Sequence, residues 1–143
     1  MTEKICVLGL DVGNKRIGVA GCDGTGLIAT ELITIHRQSF LSDIEQIKKI
    51  IKEREVTKLI IGLPILADGN LGSQAKQIQK FGNRISTVLN LAIEYIDERF
   101  SSLEAESELK AQRKYSSYNK GLIDSYAAKI ILQRWLDQRH ITF

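Results

Sequence analysis

The chain has 143 residues, 43% of them hydrophobic and 26% charged, with a net charge of +3, 11 glycines and one proline. That length fits a single domain over residues 1–143 with a real core, and the composition excludes disordered, collagen-like and mucin-like chains. No apolar run approaches the ~20 residues of a membrane span, and the acidic start Met1-Thr2-Glu3-Lys4 lacks a secretory signal, so a soluble, cytoplasmic protein without membrane contact is expected.

Residues 5–12 are β-rich and nearly all apolar, as a strand buried on both faces should be. Gly13-Asn14 turns the chain into a second strand over 16–22, and Asp23-Gly24-Thr25-Gly26 turns it again into a third over 27–36. A first helix begins around Ser39 to Ser42, where Ser42 and Glu45 have capping-box spacing, and it buries Ile44, Ile47, Ile50 and Ile51. Residues 58–62 form a short apolar strand of the kind that follows a crossover helix. An irregular stretch over 63–72 leads to a second helix at 73–89, in which Gly82 costs about 1 kcal/mol relative to alanine. A fifth strand spans 91–97. Ser101 and Glu104 open a third helix running to about Arg113, and a loop at 114–119 precedes a fourth helix over 120–138.

The order β-β-β-α-β-α-β-α-α implies an α/β fold: a mixed five-stranded sheet, three antiparallel strands then two parallel ones, flanked by helices. Ligands of such sheets gather at the carboxyl ends of the parallel strands. Asp11, the Gly62-Leu63-Pro64 segment and Asp97-Glu98-Arg99 would meet there. Lys110, Arg113, Lys114 and Lys120, interleaved with Tyr115 and Tyr118, make a basic aromatic stretch able to hold phosphates; lysines offsetting a helix dipole explain it equally well. Cys6 and Cys22 are expected to be buried reduced thiols, and His36 and His140 have no metal-ligand spacing, which disfavours zinc.

Three acids stand out. Asp11 ends a core strand where an apolar residue would be cheaper, so its carboxylate needs compensation by donors, a cation or a metal; an Asx-type turn is the plain alternative. Glu98 poses the same question at the end of the fifth strand, where a solvated charged strand end is the alternative. Asp124 is the sharpest case, because its helical neighbours Ala127, Ala128, Ile131 and Trp135 are all apolar. A dipole effect of about 0.3–1 kcal/mol explains an acid in the first turn of a helix but not one on its packed face. Three converging carboxylates call for a cation between them, and Mg²⁺ or Mn²⁺, as two ions, fits oxygen ligands. The chemistry that follows is phosphodiester hydrolysis.

These residues stand within four ordered blocks: Leu10-Asp11-Val12-Gly13-Asn14-Lys15-Arg16-Ile17-Gly18-Val19-Ala20; Ile61-Gly62-Leu63-Pro64 with Asp68-Gly69 and Gln74-Ala75; Asp97-Glu98-Arg99; and Lys120-Gly121-Leu122-Ile123-Asp124-Ser125-Tyr126-Ala127-Ala128. On them the chain resembles the YqgF family, described as Holliday-junction-resolvase-like or as pre-16S rRNA nucleases. The resemblance implies a ribonuclease-H-like fold, a metal-binding catalytic triad at Asp11, Glu98 and Asp124, and a role in maturing the 5′ end of small-subunit ribosomal RNA. Phe100-Ser101-Ser102 stands where Leu-Thr-Thr is common in that family, and Gly21-Cys22-Asp23 where Val-Ser-Asp is; neither change removes a triad acid. Lys15, Arg16, Arg99, Lys120 and the amides of Ser73 and Gln74 are the expected phosphate contacts, and the 63–72 loop is read as either a flap over substrate or a rigid surface loop. The expected partners are structured RNA, branched DNA and ribosomal precursor particles, with the chain a monomer or homodimer. The competing readings are a four-way-junction resolvase, a non-catalytic RNA- or ribosome-binding module, and a sugar-kinase or actin-like ATPase, which would need a second such domain.

Overall fold

Turn chemistry sets the first half of the molecule. In the computed structural model, which describes residues 6–66, 68–97 and 120–141, strands β1 (Val7–Val12), β2 (Arg16–Cys22) and β3 (Ala29–His36) form an antiparallel meander. Strand β3 starts two residues later than expected because the Asp23 carboxylate accepts the amides of Leu27 (3.0 Å) and Ile28 (3.2 Å), tying them into the turn. Helix α1 (Phe40–Arg54) leads to β4 (Lys58–Leu63), and α2 (Ser73–Leu89) leads to β5 (Ala92–Asp97). Both new strands run parallel to β1, giving the sheet order β3-β2-β1-β4-β5. Helix α3 (Lys120–Ile141) is the fourth helix expected from the sequence; the expected third, with Glu98, Arg99 and the basic stretch before Lys120, lies outside the described residues.

Ser39, not Ser42, caps α1. Its extended backbone (φ −143°, ψ 161°) lets the hydroxyl accept the Ser42 amide at 3.2 Å, so Ser42 falls inside the first turn and the Ser42–Glu45 spacing is incidental.

Alternation along the strands splits the apolar residues between two layers. Leu8, Leu10, Ile17, Val19, Leu59 and Ile61 face Ile44 and Ile47 of α1 and Ala75, Ile78 and Ile85 of α2. Val7, Ala20, Ile60 and Ile96 face Ala128, Ile131, Leu132 and Trp135 of α3 on the other side. With helices on both faces, β1 reads as a continuous apolar run until Asp11.

Gly82 explains itself in this packing. A Cβ there would sit 2.5 Å from the Tyr95 hydroxyl and 3.0 Å from Ile61 Cδ1, so the strand side chain lies where a helical alanine would project. The same hydroxyl donates to Gln79 O (3.0 Å) and Asn83 Oδ1 (3.2 Å), which fixes the ring against the helix. Gly82→Ala is therefore expected to destabilise the fold despite a propensity gain of about 1 kcal/mol. In a Tyr95→Phe background the same change should cost less, since the 2.5 Å contact is gone while the 3.0 Å contact with Ile61 Cδ1 remains. Urea unfolding of the four proteins of that double-mutant cycle measures the coupling.

Candidate metal centre at the end of the first strand

Asp11 pairs directly opposite Gly18 across the β1–β2 ladder, and residues opposite one another in an antiparallel pair project to the same face. That face is the one α3 covers. At Gly18 the helix backbone lies so close that a Cβ would fall onto the carbonyl carbon and oxygen of Asp124, and 2.9 Å from the Ser125 amide nitrogen. Opposed Cβ positions are about 4.5–5.5 Å apart, so the main chain of Asp124 rests on the strand pair beside the origin of the Asp11 side chain.

Arg16 completes the corner. It is two residues before Gly18 on the same strand, hence on the same face, and its guanidinium Nε donates to Asp124 Oδ2 in an ion pair. The Asp124 side chain is 23% exposed and that of Arg16 30%, so the pair is reachable by water and by a substrate. The packed-face reading of the helix holds: Ala127, Ala128 and Ile131 are completely buried, and Trp135 nearly so. Two small alanines and two strand glycines make this approach possible, Gly9 lying against Leu132 and the Ala128 carbonyl (2.7 and 3.0 Å from a Cβ placed there).

The turn between Asp11 and Arg16 is held from the opposite layer. Gly13 N–H donates to Arg16 O (2.8 Å), Arg37 N–H to Lys15 O (2.9 Å), and the Arg37 guanidinium to Gly13 O (2.7 Å). Buried Asp43 accepts from Arg37 Nε (3.4 Å) and from the Gln38 amide (3.1 Å), clamping that arginine. Sequence reasoning missed both residues. The available signal was Asp43 beside Ile44, an acid next to the buried stripe of its helix.

The expected phosphate contacts divide between places. Arg16 is at the acid corner, and Lys15 is exposed on the same turn. Ser73 and Gln74 open α2 and so belong to the other layer. Lys120 opens α3, with its side chain outside the described part, as are Glu98 and Arg99. In the loop after β4 an Ile65–Leu71 bridge and a Leu66 N–H to Asn70 O bond of 2.9 Å join its two arms. Neither cysteine forms a disulfide among the described residues; Cys6 is only half-buried rather than buried as expected, whereas Cys22 is buried and that burial pushes its thiol above its ordinary range.

The donor set suits a hard divalent ion. Carboxylates from a strand end and a helix, open to water and accompanied by one guanidinium, are oxygen ligands of the kind Mg²⁺ and Mn²⁺ accept. Among the described residues no three His, Cys, Asp or Glu side chains cluster as metal ligands.

Comparison with known proteins agrees with this architecture. A relative from Crocosphaera subtropica is 66% identical over 96% of both chains, and one from Synechocystis sp. is 60% identical over 97% of this chain and 91% of its own. Both carry the name "Putative pre-16S rRNA nuclease". Among solved structures, Thermus thermophilus RuvC in complex with Holliday junction substrate superposes with a TM-score of 0.60 at 10% identity, covering 95% of this chain and 96% of its own. Fowlpox virus resolvase, solved with Holliday junction DNA, gives 0.59 at 12% identity, covering 94% and 99%. At such identities the likeness establishes the fold, the ribonuclease-H-like one. The family model described as "RuvX: Holliday junction resolvase" matches residues 5–138, and the chain belongs to that family.

Proposed function

We propose that the chain is a divalent-metal-dependent nuclease that hydrolyses phosphodiester bonds at the 5′ end of precursor small-subunit ribosomal RNA. The observation that carries this reading is the seating of α3 on Gly18, which brings Asp124 to the end of the strand bearing Asp11. Asp11, Asp124 and Glu98 would hold Mg²⁺ or Mn²⁺, as two ions. Glu98 lies outside the described residues and enters this reading on the family resemblance alone. When bound, such ions activate the attacking water and stabilise the departing 3′ oxygen.

The chain's own residues supply position and charge. Arg16 holds the Asp124 carboxylate in one orientation and offsets part of the negative charge that two or three acids accumulate. A guanidinium in that position also offers donors to a substrate phosphate. The Arg37–Asp43 clamp keeps the turn between Asp11 and Arg16 in register, so that both ends of the corner are fixed before substrate arrives. Lys15 and, beyond the described residues, Arg99 and the side chain of Lys120 are the further phosphate contacts; the amides of Ser73 and Gln74 would reach substrate that passes round the end of the sheet. No helix among the described residues is long and apolar enough to cross a membrane, and we place the chain in the cytoplasm with ribosomal precursor particles, as a monomer or homodimer.

The names of the relatives favour RNA, whereas the description of the family model favours four-way DNA as the second reading. Purified protein incubated with 5′-extended precursor rRNA and with a four-way DNA junction, each with Mg²⁺, Mn²⁺ or EDTA, separates them. Shortened RNA with either ion and none with EDTA is the expected result. Cleavage of the junction alone would move the function to DNA, and RNA binding without any product would favour the non-catalytic module.

A further inference from the structure

Helix α2 carries Lys76, Lys80 and Arg84 and no acid. Its dipole does not account for them: Lys76 lies at the end of the first turn, where cations are disfavoured, and the last turn holds no basic residue. Between α2 and the start of α1, directly beside the Gly13-Asn14 turn that follows Asp11, lies a recess of about 410 Å³. It continues past Phe40 and Phe81 into a second one of about 270 Å³ edged by Lys80 and Arg84.

The walls have a distinct chemistry. The Phe40 and Phe81 rings are 5.8 Å apart; the Arg84 guanidinium lies 3.6 Å over the first and that of Arg37 4.7 Å over the second. Stacking on a ring orients a guanidinium without neutralising it. Among the described residues neither Lys80 nor Arg84 pairs with a carboxylate, and the acid in the recess, Asp43, is already engaged by Arg37 and the Gln38 amide. Asn14, Gln38, Gln74 and Gln77 add amides that can both donate and accept, as a base edge requires. A few hundred Å³ is the scale of a small-molecule site, able to take a nucleotide but not a duplex.

We propose that this groove binds a single-stranded stretch of the nucleic-acid substrate flanking the bond to be cut. One unstacked nucleotide occupies the recess beside Asn14 and Gln77, and the following phosphates track Lys80 and Arg84. The inference rests on the nuclease reading and narrows its substrate to nucleic acid with a single-stranded flank.

Fluorescence anisotropy in EDTA tests it without reference to cleavage, so the groove and the nuclease reading can fail separately. The probes are a labelled single strand of about 12 nucleotides, within known single-strand site sizes, made as RNA and as DNA, and the matching blunt duplexes. Lys80→Glu/Arg84→Glu is expected to weaken single-strand binding at least about tenfold and to flatten its salt dependence by about 0.7 for each phosphate that is no longer neutralised. Duplex binding should change less than about twofold, since phosphate contacts elsewhere would carry it. The single variant Lys80→Glu, at an exposed side chain, should show a smaller loss in the same direction with an unchanged circular dichroism spectrum. Weaker binding of RNA, of DNA or of both supports the groove and identifies its strand. Wild-type affinity in both variants, equal weakening on duplex, or a change of oligomeric state by sedimentation would overturn it, the last making the face a contact between copies of the chain.

Discussion

Asp124→Asn and Asp11→Asn are each expected to reduce metal-dependent cleavage by more than about 100-fold while leaving a folded protein. The magnitude follows from comparison: partners that merely orient metal ligands are worth about 10–100-fold in affinity or activity, and a ligand should be worth more. The fold should survive because both side chains of the Asp124–Arg16 pair keep some contact with water, which limits the cost of removing the charge. Asparagine also keeps the shape of the side chain, so α3 can still seat on Gly18. Cleavage rates with Mg²⁺ and Mn²⁺, read beside circular dichroism and thermal melts, check both statements. A variant with wild-type cleavage would remove its residue from the centre.

Gly18→Val should be the most damaging single change in the strand pair. Its Cβ would coincide with the Asp124 peptide group, and main-chain atoms of a packed helix cannot rotate away as a side-chain tip can. Overpacking of a core costs about 1–3 kcal/mol where side chains adjust, and we expect about 3 kcal/mol or more here. Gly9→Ala should cost less, since its Cβ would lie 2.7 Å from Leu132 Cβ and 3.0 Å from Ala128 O, and a small shift of α3 relieves both. Urea denaturation gives the stabilities. Because Asp124 moves with the helix, the Gly18→Val protein should also lose more cleavage than its unfolded fraction explains.

Among the described residues the order of strands and helices was legible because each apolar run has one period and ends in turn residues. The Ser73–Leu89 boundaries of α2 agree with those expected from the sequence, since Gly72 precedes and Asn90, in the left-handed conformation (φ 51°), follows. The start of β3 shifted because the Asp23 side chain competes for the backbone. Helix α1 begins inside the expected Ser39–Ser42 range, but its cap is Ser39 rather than Ser42, because the choice depends on chain direction, which spacing does not encode. The departure of Asp124 from its apolar face was visible as a pattern. Its partner was not: Arg16 sits 108 residues away, and only the two strand glycines that admit α3 bring them together. The Arg37–Asp43 pair is local, six residues apart across the start of α1, and its visible sign was the acid beside the buried stripe; what the sequence does not show is the reach of Arg37 to Gly13 O, 24 residues away.

The centre is tested most directly by Mn²⁺ binding, followed by electron paramagnetic resonance as loss of the free-ion signal on titration with protein in the absence of nucleic acid. Wild-type protein should take up Mn²⁺ and release it to Mg²⁺, and Asp11→Asn and Asp124→Asn should each bind it far more weakly. Equal uptake by all three proteins would contradict the placement of the metal between the first strand and the last helix.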